Sequence, residues 1–262
     1  MGKLTGKTAL ITGASKGIGE GIARTFAKHG ANLVLAARGS ETQALAQSLC
    51  ENGTKAIAVT MDVSDMASVQ AGYEAAVQAF GGVDILVSNA GICRLGDFLT
   101  QSDADRDAHL DINVKGAWNT CKAVLPGMLA RKWGRVVIMS SVTGDMVADP
   151  GEAAYAMSKA ALVGLTKALA REFAPYVNVN AICPGYVLTP MVQGMARQSC
   201  PENPESVIDG IAAGVPLKRL ARPEEIGELA AFLGCYESSY ITGAQIVIDG
   251  GSTLPETSTM GA

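Results

Sequence analysis

The segment TALITGASKGIG, residues 8–19, decides the fold, because an apolar run of strand length leads through a glycine-rich loop into a helical pattern. Its three glycines, Gly13, Gly17 and Gly19, would let the backbone approach a pyrophosphate closely, and the N-terminus of the following helix would offer free N–H groups to the phosphate charge. The spacing is GxxxGxG rather than GxGxxG, and alone it is also compatible with an ordinary tight turn. Its position between a strand and a helix favours a dinucleotide-binding loop.

The same alternation of strand and helix continues along the chain. Uniformly apolar runs, typical of strands covered on both faces, predict strands at 8–12, 32–37, 55–63, 84–91, 134–141, 177–185 and 244–251. Ala-rich segments between them predict helices at 17–29, 41–52, 66–79, 103–132, 152–173 and 223–235. Because right-handed crossovers place helices on both faces of a parallel sheet, this order predicts the α/β class, as a single Rossmann-type doubly wound domain whose seven-stranded parallel sheet is flanked by helices on both faces.

One long stretch interrupts the alternation. Residues 188–220 are interpreted as an excursion with helical pieces, of the kind that forms lids or substrate-binding loops. No linker or repeat divides the chain, so a single dinucleotide-binding domain over 1–262 is expected, with the excursion at 188–220 as part of it. The tail LPETSTMGA, residues 254–262, has no periodicity and is expected to be an exposed terminus or an arm on a neighbouring subunit.

Composition excludes several classes of partner. The net charge is −4 with no basic cluster, so neither nucleic acid nor an anionic membrane is predicted as a partner. The six cysteines lie far apart without zinc spacing, and the chain has no HExxH motif, which predicts a reduced compartment and no metal site. The leading residues lack the apolar stretch of a signal peptide, and the chain has no apolar run of about 18 residues. A cytoplasmic protein acting on a small molecule or a protein is therefore predicted.

The segment YAMSK places Tyr155 and Lys159 four residues apart in a predicted helix, so both side chains lie on one face. A nearby ammonium group favours the phenolate and lowers the pKa of a tyrosine from its reference value of about 10. Tyr155 is thus a candidate general acid or base, although such a pair on its own is also typical of a solvated helix face.

Taken in order, the motifs resemble the complete series of the classical short-chain dehydrogenases/reductases over residues 7–251. The motifs are Thr12 to Gly19, Asp62 with Val63, Asn89-Ala90-Gly91, Asn113, Ser141, Tyr155 with Lys159, and Pro184-Gly185 with Thr189. Ser88 departs from the family pattern, which commonly has Asn there. The resemblance is specific because the motifs occur jointly and span nearly the whole chain.

The resemblance implies four catalytic residues. Tyr155 would donate a proton to a substrate carbonyl or remove one from an alcohol, and Ser141 would hydrogen-bond the same oxygen and stabilise developing charge. Lys159 would bind the nicotinamide ribose and lower the pKa of Tyr155. Asn113 would hold a water molecule that links Lys159 to solvent.

The resemblance also implies a cofactor cleft. Asp62 and Val63 would face the adenine, and Asn89 to Gly91 would face its ribose and the middle of the cofactor. Val187 and Thr189 would contact the carboxamide. The full set expected to bind the cofactor is Gly13, Ser15, Lys16, Gly17, Ile18, Gly19, Arg38, Asp62, Val63, Asn89, Ala90, Gly91, Tyr155, Lys159, Pro184, Gly185, Val187 and Thr189.

The segment NLVLAARGS, residues 32–40, predicts which nucleotide binds. The dinucleotide fingerprint expects an acidic residue about 20 positions after the glycine loop, where it binds a ribose hydroxyl, but the chain has Ala37 and then Arg38. Without the acid a 2′-phosphate is not repelled, and Arg38 and Lys16 would bracket it with two cations. NADP(H) is the predicted cofactor. NAD(H) is the alternative if both cations are solvated surface charges.

A small, mostly apolar carbonyl or alcohol is the predicted substrate. Its pocket is expected from 93–98, 142–150 and 186–215, with Ser141, Met146, Val147, Tyr155 and Tyr186 as contacts. The resemblance further implies a homotetramer built from the helices near 103–132 and 152–173 and from the C-terminal strand region.

Two other functions remain open at this point. A 3-oxoacyl-thioester reductase would need a basic surface for an acyl carrier, for which Arg94 and Arg106 are the candidates. A non-catalytic nucleotide-binding regulator would be expected to lose catalytic residues, and all four are present.

Overall fold

The computed structural model describes residues 2–254. In chain order its elements are β1 Thr8–Thr12, α1 Gly17–Lys28, β2 Asn32–Ala37, α2 Glu41–Glu51, β3 Ala56–Thr60, α3 Met66–Phe80, β4 Ile85–Ser88, α4 Asp103–His109, a π-helical segment Leu110–Lys115, α5 Gly116–Ala130, β5 Gly134–Met139, α6 Ala153–Phe173, β6 Val177–Pro184, α7 Pro190–Ser199, α8 Pro204–Gly214, α9 Pro223–Gly234 and β7 Gln245–Ile248. None of these helices is long and apolar enough to cross a bilayer.

The seven strands form one parallel sheet in the order β3-β2-β1-β4-β5-β6-β7. This confirms the predicted seven-stranded parallel sheet and the doubly wound fold. The strand order reverses direction between β1 and β4, and in open α/β sheets ligands bind at such a switch point, outside the carboxyl ends of the strands. The functional site is therefore expected beyond Thr12 and Ser88.

Alternate residues of the strands face two separate cores. Ile11 of β1 packs with α1, α2 and α9 on one face, whereas its neighbour Leu10 packs with α3, α5 and α6 on the other. Both residues are fully buried. Because both faces are covered, the strands have uniformly apolar sequences, which is why they could be recognised without an alternating pattern.

Several predicted bounds differ from the observed ones. The strands predicted at 55–63, 84–91 and 244–251 end earlier, because their last residues belong to loops that line the site or to turns. The predicted helix 103–132 is divided by its π-helical segment into α4 and α5. The stretch 188–220 contains α7 and α8. Most of the predicted C-terminal arm, residues 255–262, lies outside the described residues.

Candidate active site

A cavity of about 590 Å³ opens at the carboxyl ends of the strands, on both sides of the switch point. Its wall is formed by the glycine loop, by residues at or just after the ends of β2 to β6, and by the first turns of α6 and α7. All but three of the predicted site residues line it, the exceptions being Gly19, Asn113 and Met146.

The glycine loop leaves its backbone open to the cavity. Gly13 and Gly17 have φ values of +65° and +60°, a region that favours glycine. A β-carbon on Gly13 would fall 2.9 Å from Ala90 Cα, and one on Gly19 would fall 2.1 Å from the Gly13 carbonyl oxygen. Gly19 therefore lets α1 pack tightly behind the loop rather than lining it. Helix α1 has no side-chain cap, so its first N–H groups are available to an anion.

Hydrogen bonds fix the glycine loop against the end of β4. The Thr12 hydroxyl oxygen accepts from the backbone N–H groups of Asn89 (3.0 Å) and Ala90 (3.1 Å). In return, the Asn89 amide donates to the carbonyl oxygens of Thr12 (2.9 Å) and Gly13 (3.3 Å). The two loops at the switch point are thus held in one arrangement. A cradle closed by glycines and a free helix N-terminus fit a bound dinucleotide.

The end of the cavity beside β2 carries charged side chains of both signs. Lys16 and Arg38 are exposed and line it, and within residues 2–254 neither forms an ion pair. The hydroxyl and N–H groups of Ser64 hold the pKa of Asp62 below its usual value, and the Arg38 charge lowers it further. Glu41 also lines this end, folded back so that a β-carbon on Gly39 would fall 2.0 Å from its carboxylate oxygen. Sequence reasoning missed Glu41, which follows Arg38 by three residues in the next helix.

Tyr155 and Lys159 lie together at the opposite end, as their spacing predicts. Lys159 is buried, its Nζ donates to the Met139 carbonyl oxygen at 2.8 Å, and it lies 5.5 Å from the centre of the Tyr155 ring. Burial lowers the pKa of Lys159 to about 8. Burial also raises the pKa of Tyr155, with a further rise from Cys93, while the Ser141 hydroxyl acts in the opposite direction. Desolvation of the phenol is the largest of these effects on the Tyr155 pKa, and a lowering of that pKa by Lys159 stays a prediction.

Asn113 lies behind the cavity wall, in the π-helical segment, and is 1% exposed. Its Oδ1 accepts from the Ile92 N–H at 2.8 Å, and its Nδ2 donates to the Ile92 carbonyl oxygen at 3.0 Å and to Ser158 Oγ at 2.9 Å. The Ser158 hydroxyl donates in turn to the Tyr155 carbonyl oxygen at 2.7 Å. Asn113 therefore joins the loop after β4 to the turn of α6 that carries Tyr155. π-Helical turns occur frequently at functional sites.

His109 is a buried neighbour of Tyr155 that sequence reasoning did not place in the site. Its Nδ1 lies 2.7 Å from the Asp105 carbonyl oxygen, and its Nε2 accepts from the Arg94 N–H at 3.1 Å. This bonding requires a neutral imidazole with its proton on Nδ1. The ring lies edge-on to Tyr155, 6.5 Å between centres, and fixes the loop that begins at Ile92.

The wall near Ser141 and Tyr155 is only partly apolar. Val147, Tyr186, Met191 and Met195 line it as expected. Met146 does not: its turn, closed by the bridge between Thr143 and Val147, leaves it 39% exposed and outside the lining, which corrects the predicted contact.

Two acidic residues, Asp149 and Glu152, complete this wall. The Tyr186 hydroxyl donates to Asp149 Oδ2 at 2.8 Å. Both acids belong to the segment ADPGEAAY, residues 148–155, which ends at Tyr155. Their closeness to Tyr155 in the sequence is the feature from which their place in the site could have been predicted. The wall thus has an acidic component that the predicted apolar pocket lacks.

The chain is similar in sequence and in fold to several known proteins. Residues 13–253 match the family model described as Enoyl-(Acyl carrier protein) reductase. The chain is 65% identical to Oxidoreductase UcpA of Escherichia coli (strain K12), over the whole of both chains. It is 36% identical to the 3-oxoacyl-[acyl-carrier-protein] reductase FabG of Thermotoga maritima, covering 96% of this chain and 100% of the relative. Among solved structures it is similar to a gluconate 5-dehydrogenase from Burkholderia cenocepacia in complex with NADP and tartrate, with a TM-score of 0.88, 31% identity and 96% coverage of each chain.

Proposed function

Because the chain belongs to the short-chain dehydrogenase/reductase family, we propose that it is an NADP(H)-dependent oxidoreductase that interconverts a small carbonyl compound and its alcohol. The observation that carries the proposal is one continuous cavity, which joins the glycine loop, Lys16 and Arg38 at one end to Ser141, Tyr155 and Lys159 at the other. Such a cavity holds a dinucleotide with its reactive end next to a proton donor.

The cofactor, when bound, supplies the hydride for reduction or accepts it in oxidation. We assign the proton transfer and the binding of the carbonyl oxygen to side chains of this protein. Tyr155, whose raised pKa keeps it protonated at neutral pH, donates its phenolic proton to the carbonyl oxygen. The Ser141 hydroxyl donates a hydrogen bond to the same oxygen. Lys159, placed between the Met139 carbonyl and the Tyr155 ring, binds the nicotinamide ribose and favours the phenolate once the proton has left.

Asn113 acts through its neighbours in this proposal. Its side chain holds Ile92 and Ser158, and through them the loop and the helical turn next to Tyr155. Both Nδ2 protons are used in these bonds, so a water link to Lys159 would have to use the second lone pair of Oδ1 or the backbone.

The proposed preference for NADP(H) rests on the charges beside β2. Arg38 offers a guanidinium suited to bidentate phosphate binding, and Lys16 approaches from the glycine loop. Glu41 adds a carboxylate to the same end and opposes them. Asp62 is a second carboxylate at this end, but its Oδ1 accepts hydrogen bonds from the Ser64 hydroxyl and N–H, so Lys16 and Arg38 are the two cations left to bind the 2′-phosphate. The similar gluconate 5-dehydrogenase was solved with NADP, which supports this choice.

A 3-oxoacyl-thioester reductase is the second candidate, and the identity to FabG favours it. The surface arginines argue against it. Arg94 pairs with Asp105 at 2.6 Å, and Arg106 pairs with Asp103 at 2.9 Å and with Asp107 at 2.8 Å. These partners neutralise the basic surface that an acidic carrier protein would need.

A homotetramer remains part of the proposal. Trp118 on α5 and Met157 on α6 are 56% and 47% exposed, and large apolar side chains exposed in this way are suited to contacts between subunits. Light scattering after size-exclusion chromatography would give four times the mass of 27.0 kDa.

The proposed function is tested by steady-state kinetics on a panel of aldehydes, ketones and acyl thioesters with NADPH and with NADH. We expect ketones or aldehydes to be reduced, and NADPH to have the higher kcat/KM. Reduction of acyl thioesters alone would favour the second candidate. Equal or better kinetics with NADH would contradict the cofactor assignment.

A further inference from the structure

Glu152 is a buried carboxyl group that the proposed reaction does not use. It immediately precedes the first residue of α6 and is only 5% exposed. The N-cap position prefers Asp, Asn, Ser or Thr, and the Glu152 side chain makes no cap bond there. It lines the cavity instead.

One oxygen of this carboxyl group lacks a partner. Glu152 Oε2 is buried without a hydrogen bond to any residue in the described part of the chain. Buried polar atoms in folded proteins are nearly always paired, so an unpaired one at a cavity wall points to a ligand group that completes it. Only a hydrogen-bond donor can do so when the group is ionised.

The negative charge of Glu152 affects the pKa values of several groups at the substrate end of the cavity. It contributes to the raised pKa values of Cys93, Tyr155 and Tyr186. Its own pKa is raised, first by burial and then by the Asp149 charge, while the Thr143 hydroxyl and the Asp149 backbone, neither of which forms a hydrogen bond with Oε2, act in the opposite direction. The group therefore lies within electrostatic reach of the proton donor of the proposed reaction.

The surrounding charges restrict the donor that could pair with Glu152. Asp149 and Glu152 together make this wall acidic, which disfavours a substrate carboxylate or phosphate. Lys159 also lines the cavity, with its Nζ 5.5 Å from the centre of the Tyr155 ring, so the reacting end already holds a cation, which disfavours a substrate ammonium group beside the reacting carbonyl. A neutral hydroxyl group satisfies both restrictions.

We propose that Glu152 is a specificity-determining residue that accepts a hydrogen bond from a hydroxyl group carried near the reacting carbonyl, so that the substrates are hydroxyketones and the corresponding diols rather than keto acids. This inference rests on the proposed function. It replaces the mostly apolar substrate expected from the sequence with one that has a polar end.

The test compares substrates that differ only at this group. Hydroxyacetone, butanone and pyruvate form one series, in which the hydroxyl is replaced by methyl or the hydroxymethyl by carboxylate. α-Hydroxyacetophenone, propiophenone and phenylglyoxylate form a larger series. kcat/KM is measured with NADPH for wild type, Glu152→Gln and Glu152→Leu. The matched control is Asp145→Asn, because Asp145 is an acid of the same loop that bonds Gln245 outside the cavity lining.

We expect Glu152→Leu to lower the ratio of kcat/KM for the hydroxyketone to that for its methyl analogue by tenfold or more. Glu152→Gln keeps an acceptor, so it should lower the ratio less, and it should improve use of the keto acid severalfold. Asp145→Asn should leave the ratio unchanged. A purely structural role would lower activity with both substrates alike and leave the ratio fixed.

The failures are distinguishable. A ratio that Glu152→Gln and Glu152→Leu both leave unchanged, or a wild type that prefers the keto acid, would overturn the inference alone. A wild type that reduces no ketone of either series or of the wider panel would overturn the proposed function and this inference with it. If Glu152→Leu does not fold, kcat/KM of Glu152→Gln for the keto acid is the deciding measurement. A severalfold rise over wild type supports the inference, and no rise overturns it.

Discussion

Asn113 offers a quantitative prediction, because its side chain makes three hydrogen bonds from a buried position. Asn113→Ala removes all three and leaves both backbone groups of Ile92 and the Ser158 hydroxyl without this partner. A typical intramolecular hydrogen bond contributes about 1 kcal/mol net, so the free energy of unfolding should fall by about 3 kcal/mol. Ile92 is partly exposed, so water replaces part of the loss and keeps it near that figure.

Asn119 is the matched control. It is a second buried asparagine on the adjoining helix, and its Nδ2 donates a single bond to the Val63 carbonyl oxygen at 2.9 Å. Asn119→Ala should therefore destabilise the protein by only about 1 kcal/mol from this source. Urea unfolding at one fixed protein concentration would measure both, since oligomer formation makes stability depend on concentration.

The two variants should also differ in activity. Asn113→Ala releases the loop at Ile92 and the helical turn next to Tyr155, so kcat should fall well beyond the change seen in Asn119→Ala. If Asn113→Ala is destabilised no more than Asn119→Ala and keeps its kcat, the clamp assigned to Asn113 is refuted.

Two further predictions concern charge. Arg38→Ala should lower kcat/KM for NADPH relative to NADH by about 5- to 150-fold, as expected for a lost charge-assisted contact of about 1–3 kcal/mol, and Glu41→Gln should shift the ratio severalfold towards NADPH. Equal losses with both cofactors would count against the assignment. Because burial lowers the pKa of Lys159 to about 8, kcat/KM for NADPH should fall as the pH rises through that value and Lys159 loses its charge. A flat activity profile through this pH range would contradict the burial effect. In the unfolded chain Lys159 keeps its proton up to a pKa of 10.5, so its contribution should make unfolding less favourable as the pH rises from 8 to 10.5.

The fold could be predicted from the sequence because local and global signals agree. Ile11 and Leu10 are both fully buried although they face opposite cores, so β1 has a continuous apolar sequence. Such strands, alternating with Ala-rich helices, are compatible with few architectures. The bounds were harder, since β4 ends at Ser88 while the apolar pattern continues into the loop that lines the site. The π-helical segment at Asn113 was missed because it keeps the composition of a helix.

The site could be predicted as far as its motifs extend. Tyr155 and Lys159 share a helix face, so their proximity follows from four-residue spacing. Glu41, Asp149 and Glu152 were missed because whether an acidic side chain faces a cavity or solvent depends on tertiary packing, and their sequence positions do not distinguish these outcomes. The pKa of Tyr155 also depends on tertiary packing, since the four-residue spacing indicates the nearby cation but not the extent of desolvation.

The central claim, that Tyr155 is the proton donor of a carbonyl reductase, is tested most directly by Tyr155→Phe. With the best ketone of the panel and NADPH, kcat should fall by about 10²- to 10⁴-fold, the contribution of a positioned general acid. NADPH binding, followed by its fluorescence, should persist, and Tyr176→Phe, which alters a tyrosine that is 40% exposed and outside the cavity lining, should match wild type. A Tyr155→Phe enzyme that keeps the wild-type kcat would contradict the account.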